Sequence, residues 1–270
     1  MYIVFTDLDG TLLDHETYSW EAARPAIQRL IDARIPWIFV TSKTRKETEF
    51  WRREMGNQHP FVVENGGAAF MPQGCFAMPV TGARHIRDYD LLEWGTPYPS
   101  LIAALRQASE TSDCRVRGFH DMSVAEIAET CALPTNLAEL AKRREYDEPF
   151  TVLDENQASG LVAAIESQGL RCTRGGRFWH ITGPNDKGLA VRALTALFTE
   201  AYGPVTTIGL GDGLNDASLL GQVHVPILVL SQQSEELIKL VPQGAVTQKG
   251  GPGGWKEAIL SLIPSPADTA

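Results

Sequence analysis

Cysteine is scarce and scattered. Cys75, Cys114, Cys131 and Cys172 are the 4 cysteines of 270 residues, with no Cys-x-x-Cys pair and no histidine partners at zinc spacing. That spacing excludes a zinc-finger framework and points to reduced thiols, as in the cytoplasm. Basic residues are outnumbered: 24 Lys and Arg against 33 Asp and Glu leave a net charge of −9. No basic stripe is present, and the short run Lys142-Arg143-Arg144 is followed at once by Glu145. No nucleic-acid partner is expected. An anionic ligand would have to be met by locally placed cations and helix N-termini. No apolar run is long enough for a bilayer, and the first strand begins too early to leave room for a secretory leader, so no membrane is expected. Internal repeats are also lacking. The remaining composition, 43% hydrophobic and 21% charged, is that of a soluble globular protein long enough for one large α/β domain or two modest ones.

The stretch that organises the chain is its beginning. Tyr2 to Phe5 is an apolar, β-branched run with the character of a buried parallel strand. It ends in Thr6-Asp7-Leu8-Asp9-Gly10-Thr11. In open α/β sheets the carboxyl ends of strands are where ligands bind. Two acids one residue apart repel each other and need a cation or a shared proton. A hard divalent ion such as Mg²⁺ answers that need. One acid could then attack phosphorus while the other carries a proton. A plain Asp-Gly turn reads equally well from these residues alone.

The pattern that follows is strand, helix, strand, helix, strand: a helix from Trp20 to Ala33, a strand from Ile35 to Val40, a helix from Arg45 to Met55 and a strand from Phe61 to Val63. This order implies a parallel sheet. From about Gly82 to Thr182 the segments are short and mixed. Helices are expected over Pro97 to Ala108, Ser123 to Glu129, Asn136 to Arg144 and Ser159 to Gln168. A strand is expected over Phe150 to Leu153, and a hairpin from Leu170 to Thr173 and Arg177 to Thr182. The parallel pattern returns with a helix from Lys187 to Tyr202 and strands Thr206 to Leu210 and Val225 to Leu230. The glycine-rich Lys249 to Gly254 reads as a loop before a helix from Trp255 to Leu262. One core, 1–81 with 183–270, is expected to carry an inserted module, 82–182.

Three further strand ends or helix starts carry chemistry. Ser42, with Thr41, follows the second strand; its hydroxyl and the N–H groups of the next helix can hold a phosphate, although a helix cap is the commoner meaning. Lys187 stands at a helix start, where the dipole disfavours a cation. It therefore wants a local anion, unless it is a surface lysine. Gly211-Asp212-Gly213-Leu214-Asn215-Asp216 brings two more acids to a strand end. Asp212 could complete an oxygen-rich metal shell with Asp7 and the carbonyl of Asp9, and Asp216 could orient Lys187. A calcium loop is ruled out because no glutamate closes it.

Together Asp7/Asp9, Ser42, Lys187 and Asp212/Asp216 resemble, in order, the four motifs of the haloacid dehalogenase-like hydrolase superfamily. The resemblance implies an α/β fold: a Rossmann-like parallel-sheet core with an inserted α+β C2-type cap domain that selects substrate. It further implies a Mg²⁺-dependent phosphatase in which Asp7 is the nucleophile and Asp9 the general acid and base, with Ser42, Lys187 and Asp216 assisting. Asp7, Asp9 and Asp212 would hold the metal.

Within that branch Thr41-Ser-Lys-Thr44, Glu64-Asn-Gly-Gly67, Arg144-Glu-Tyr-Asp-Glu-Pro-Phe150, Gly176-Arg-Phe-Trp-His180 and Gly251-Pro-Gly-Gly-Trp255 are similar to the mannosyl-3-phosphoglycerate phosphatase subfamily. The implied partner is a small phosphorylated sugar or glycosyl-glycerate, bound by a monomer or homodimer. Lys43, Arg144 and Arg177 could meet its carboxylate. Glu64, Asn65 and His180, with Thr44, could contact the rest. Bland alternatives stand beside these: a surface pair between Arg144 and Glu145, a core histidine at 180, and packing roles for Phe178 and Trp179. Rival functions are a phosphatase of a sucrose, trehalose or hexose phosphate, a phosphomutase, or a phospho-ligand-binding regulatory module without turnover.

Overall fold

The computed structural model describes residues 1–175 and 178–264. The chain opens with β1 (Tyr2–Thr6), α1 (Arg24–Asp32), β2 (Trp37–Val40), α2 (Arg45–Glu54) and β3 (Phe61–Val63). β4 (Ala68–Pro72), β5 (Arg84–Ile86) and β6 (Tyr89–Glu93) follow without a helix between them. Next come α3 (Tyr98–Ser112), β7 (Val116–Gly118), α4 (Val124–Cys131), α5 (Thr135–Ala141), β8 (Asp147–Val152), α6 (Ala158–Glu166), β9 (Arg171–Arg174) and β10 (Trp179–Thr182). The chain then returns with α7 (Lys187–Tyr202), β11 (Thr206–Gly211), α8 (Ala217–Leu220), β12 (Val225–Leu228), α9 (Ser234–Leu240), β13 (Ala245–Val246) and α10 (Gly251–Leu262).

Two sheets result. The larger runs β13-β12-β11-β1-β2-β3-β4-β6-β5. It is parallel from β13 to β3 and antiparallel from β3 to β5. The smaller, β7-β8-β10-β9, is antiparallel throughout. Alternation along β1 explains why the large sheet is covered on both faces. Val4 packs with Leu8, Trp37, Phe39 and Trp255. Ile3 and Phe5 pack on the other side with Ile38, Val40, Leu194 and Phe198. α7 therefore covers one face, and α1 and α10 the other. The architecture is the expected one: a parallel α/β core carrying an inserted α+β cap.

Two expectations change. Residues 84–93 do not open the inserted module; β5 and β6 extend the large sheet, with Phe70 opposite Leu91. The apolar strand β4, buried at Ala68 to Met71, needs a hydrogen-bonding neighbour on its open edge. Polar Arg84, His85 and Asp90 hid that hairpin in the sequence. Nor is the glycine-rich segment wholly a loop. α10 begins at Gly251 with Pro252 in its first turn, where its missing N–H costs nothing. A Cβ at Gly254 would run into the Lys249 carbonyl oxygen, so the close approach requires glycine. Among the described residues, no helix is long and apolar enough to cross a membrane.

Trp255 joins this late helix to the first strand. It is fully buried, and its Nε1 donates to Thr6 Oγ1 at 3.0 Å, while Thr6 Oγ1 donates to the Asp7 carbonyl at 2.7 Å. Trp255→Ala should therefore lower stability by about 3–5 kcal/mol. Urea denaturation checks this, and a midpoint unchanged from wild type would contradict the packing described.

Candidate active site

The geometry of the site follows from strand order. β1 lies between β11 and β2, with Thr6 opposite Leu210, and the Asp7 N–H donates to the Leu210 carbonyl at 2.9 Å. The two acidic strand ends, 205 positions apart in number, thus emerge side by side (Asp7 and Asp212). Gly10, at φ +76°, lets the first loop pass beneath the Asp212 carboxylate, which a Cβ would strike. Thr11 Oγ1 then donates to Asp212 Oδ1 at 2.7 Å.

Lys187 closes the cluster. Asp186 caps α7 by accepting from the Leu189 N–H, which aims the Lys187 side chain inward. Its Nζ donates to Asp7 Oδ1 and Asp216 Oδ1, both at 2.6 Å, and the residue is 1% exposed. Asp216 Oδ2 accepts from the N–H groups of Asp212 and Gly213, both at 3.0 Å. Both oxygens of Asp216 are therefore engaged in shaping the loop and holding the lysine.

Charge is out of balance here. Burial pushes Asp7 well above the usual carboxylate range; Lys187 offsets part of this, and Asp216, Asp212 and Asp9 push it further up. Asp212 is pushed up to about 7 by burial and then by Asp216. Lys187 is held above its ordinary value because the two acids outweigh its desolvation. Asp7, Asp212 and Asp216 offer oxygens within 4.8 Å of one another. An all-oxygen donor set with more negative charge than one lysine neutralises fits a hard dication such as Mg²⁺. With Asp216 committed to Lys187 and the loop, Asp7 and Asp212 are the carboxylates best placed to hold it.

Beside the cluster lies a cavity of about 190 Å³ with two kinds of wall. Asp9, His15, Ser42, Lys43, Glu47, Arg144 and His180 are its polar lining. Tyr18, Phe119, Leu133 and Phe178 form the apolar remainder, with Phe119 and Phe178 edge to face at 5.0 Å. Lys43 Nζ reaches Asp9 Oδ1 at 2.8 Å and Glu47 at 3.7 Å. The floor belongs to the large sheet and its loops, the roof to the inserted module.

Several expected ligand contacts are occupied otherwise. Thr44 is buried as the cap of α2: its side chain accepts from the Glu47 N–H, and its hydroxyl donates to the Leu140 carbonyl at 2.9 Å. Glu64 is fully buried and accepts from the N–H groups of Glu145 (3.0 Å) and Tyr146 (2.8 Å). Asn65 donates to Asp147 Oδ2 at 3.0 Å and accepts from Asn215. These residues join the core to the inserted module and do not line the cavity. Arg144 is not a surface partner of Glu145. It is buried against Asp147 at 3.0 Å and Glu64 at 3.6 Å, while Glu145 pairs with Arg45. His180 is not sealed in a core; it lines the cavity, its Nδ1 2.9 Å from Asp147 Oδ2. Arg177 lies outside the described residues.

Asp147 escaped the sequence reading. It is fully buried, and Arg144, His180 and Asn65 converge on it. Burial raises its carboxyl, but His180 and Arg144 outweigh that and hold it below the usual range. The Tyr-Asp-Glu-Pro run looks like a polar turn, and only the folded partners make it the start of a strand. Thr11 was likewise passed over; its place directly after Asp9-Gly10 was the available signal.

The sign of the pH dependence follows from Asp212. A carboxyl raised from 3.8 to about 7 keeps its proton in the folded state over that interval. The unfolded chain then binds fewer protons, so stability is lost as pH rises through the interval. In chelator, Asp212→Asn should melt higher than wild type at pH 8, by a margin that shrinks towards pH 5. Added Mg²⁺ should reverse the order at pH 8. Calorimetric scans in which the margin is the same at both pH values would refute the charge imbalance.

Comparison with known proteins agrees with this geometry. Residues 4–75 match the family model for haloacid dehalogenase-like hydrolases. A protein of Methanococcoides burtonii named glucosyl-3-phosphoglycerate/mannosyl-3-phosphoglycerate phosphatase is 42% identical over 264 residues, 97% of each chain. A protein of the same name from Persephonella marina is 38% identical over 263 residues, again 97% of each. The fold is shared with a crystal structure of a haloacid dehalogenase-like hydrolase from Bacteroides thetaiotaomicron. There the TM-score is 0.68 at 16% identity, covering 96% of this chain and 98% of that one. With its four motifs gathered at adjoining strand ends and relatives aligned along nearly its whole length, the chain belongs to the haloacid dehalogenase-like hydrolase family, among its phosphatases.

Proposed function

We propose that this phosphatase hydrolyses glucosyl- or mannosyl-3-phosphoglycerate, with Mg²⁺, to the glycosylglycerate and phosphate. It would act in the cytoplasm as a monomer or homodimer. The observation that carries the reading is the buried cluster in which Lys187 bridges Asp7 and Asp216 beside Asp9 and the cavity. The names of the relatives at 42% and 38% identity supply the substrate. The cavity suits it: Lys43, Arg144 and His180 offer cationic or hydrogen-bonding groups for a carboxylate and hydroxyls, and the Tyr18–Phe119–Phe178 wall can carry a sugar face.

Asp7, its Oδ1 held by Lys187, attacks phosphorus through its other oxygen. The phosphorus–oxygen bond to the glycerate breaks and an aspartyl phosphate forms. Asp9 gives its proton to the departing oxygen, then takes one from the water that attacks the acyl phosphate, releasing phosphate and restoring Asp7. Ser42 and Lys187 contact non-bridging phosphoryl oxygens. Asp7, Asp212 and the Asp9 carbonyl would hold Mg²⁺, which when bound offsets negative charge on the carboxylates and the transferring group. The four-stranded sheet and its helices serve as the cap that selects the substrate.

Phosphate release should be highest with the two glycosyl-3-phosphoglycerates and lower with sucrose, trehalose and hexose phosphates, and chelator should abolish it. Interconversion of isomers with little free phosphate would mark a mutase instead. Asp7→Asn should cost at least about a thousandfold in turnover while leaving the thermal transition cooperative. Near-normal turnover in that variant would remove Asp7 from the role of nucleophile.

A further inference from the structure

A second polar cavity lies along α2, outside the catalytic one. It encloses about 290 Å³ between α2 and the turn joining β5 to β6. The cations Arg45, Lys46, Arg52, Arg53 and Arg87 line it, with only Glu49 and Asp88 opposing them, in a chain whose net charge is −9. The opposing charges are partly spent. Lys46 holds Glu49 at 2.8 Å, and Arg45 is turned to Glu145 at 3.0 Å. Arg52, Arg53 and Arg87 are left to face Asp88.

Arg52 is the informative residue. It is 7% exposed, and no carboxylate forms an ion pair with it among the described residues. Its Nη2 donates to the His59 carbonyl at 2.7 Å and its Nη1 to Tyr89 Oη at 3.2 Å, but its Nε finds no acceptor. The Nε of Arg45 is also buried and unsatisfied. The Arg52 guanidinium lies over the Phe61 ring at 4.5 Å, but a buried guanidinium without an anion is still costly, and an acceptor in the cavity that Arg52 lines would neutralise it. The cation-rich, polar lining of this cavity suits a small anion. Guanidinium forks match phosphate oxygens in geometry as well as charge.

We infer that this cavity is a second anion site, which takes inorganic phosphate or a phosphomonoester apart from the catalytic centre. Its position gives occupancy a consequence. Only the capping residue Thr44 separates α2 from Ser42 and Lys43, which line the catalytic cavity. Arg45, on the same helix, grips Glu145 beside Arg144 of the inserted module. An anion drawing on Arg45 competes with Glu145 for the tie between core and cap. The inference needs neither the substrate nor the nucleophile proposed above.

Calorimetric titration of the Mg²⁺-loaded protein with inorganic phosphate, at constant ionic strength in chloride, tests it. Wild type should show two saturable events. In the double variant Arg53→Gln/Arg87→Gln, which alters only exposed side chains, one event should weaken at least tenfold. The other event and the basal turnover should be unchanged. Methylphosphonate, which cannot be hydrolysed, separates the sources: equal binding identifies a monoester site, and loss of binding identifies a site for inorganic phosphate. A single event in wild type, or two events with the same affinities in the double variant, would overturn the inference.

Discussion

Everything at this site rests on one buried cation between two carboxylates. Lys187, with its ammonium sealed from water, reaches Asp7 and Asp216 at the same short distance. Such a charge is tolerated only while both partners stay in place, since removing one leaves the other uncompensated in a dry environment. The three residues come from the start of the chain, from the helix that follows the cap, and from the loop after β11. The bridge therefore closes the long loop that holds the inserted module, and it sets the position of Asp7 relative to everything that could approach it. A surplus of negative charge remains, of the kind a hard dication would offset.

Parallel pairing is what brings these acids together without strain. Strands in the same direction end on the same edge of a sheet, so β1 and β11 deliver Asp7 and Asp212 to one rim while β2 delivers Ser42 and Lys43 beside them. The helices on both faces hold that rim rigid. Trp255 extends the support to the far end of the chain through its hydrogen bond to Thr6. A catalytic group on a strand end is better placed than one on a free loop, because packing on both faces removes its freedom to drift.

The cap meets the core through a second buried charge system. Glu64, in the turn after β3, receives the N–H groups of Glu145 and Tyr146, and Arg144 lies between Glu64 and Asp147. This joint explains why residues that look like ligand contacts in the linear sequence are absent from the cavity wall. Glu64 and Asn65 hold the cap in register so that Arg144 and His180 can face the cavity. Burial pushes the Glu64 carboxyl up to about 8 despite the neighbouring arginine. The apolar wall of the cavity comes from both modules, Tyr18 from the core and Phe119 and Phe178 from the cap.

The sequence by itself determined the parallel core, the inserted α+β module and the four motifs at strand ends and a helix start. Those signals are local: a buried strand must be an apolar run, a turn at its end must admit glycine, and α7 spans the residues that its 3.6-residue periodicity indicates. Only the tertiary structure decided which polar residues face a ligand and which face one another. Glu64, Thr44 and Asn65 are polar residues at strand or helix ends, as Ser42 and Lys43 are, and what separates them is partners up to 150 positions away. The hairpin 84–93 and the strand beginning at Asp147 stayed hidden for a related reason. Their polar residues are satisfied by neighbours that exist only after folding, so no periodicity in the chain announces them. A hydrogen-bond partner is a property of three-dimensional proximity, and the linear order of residues does not contain it.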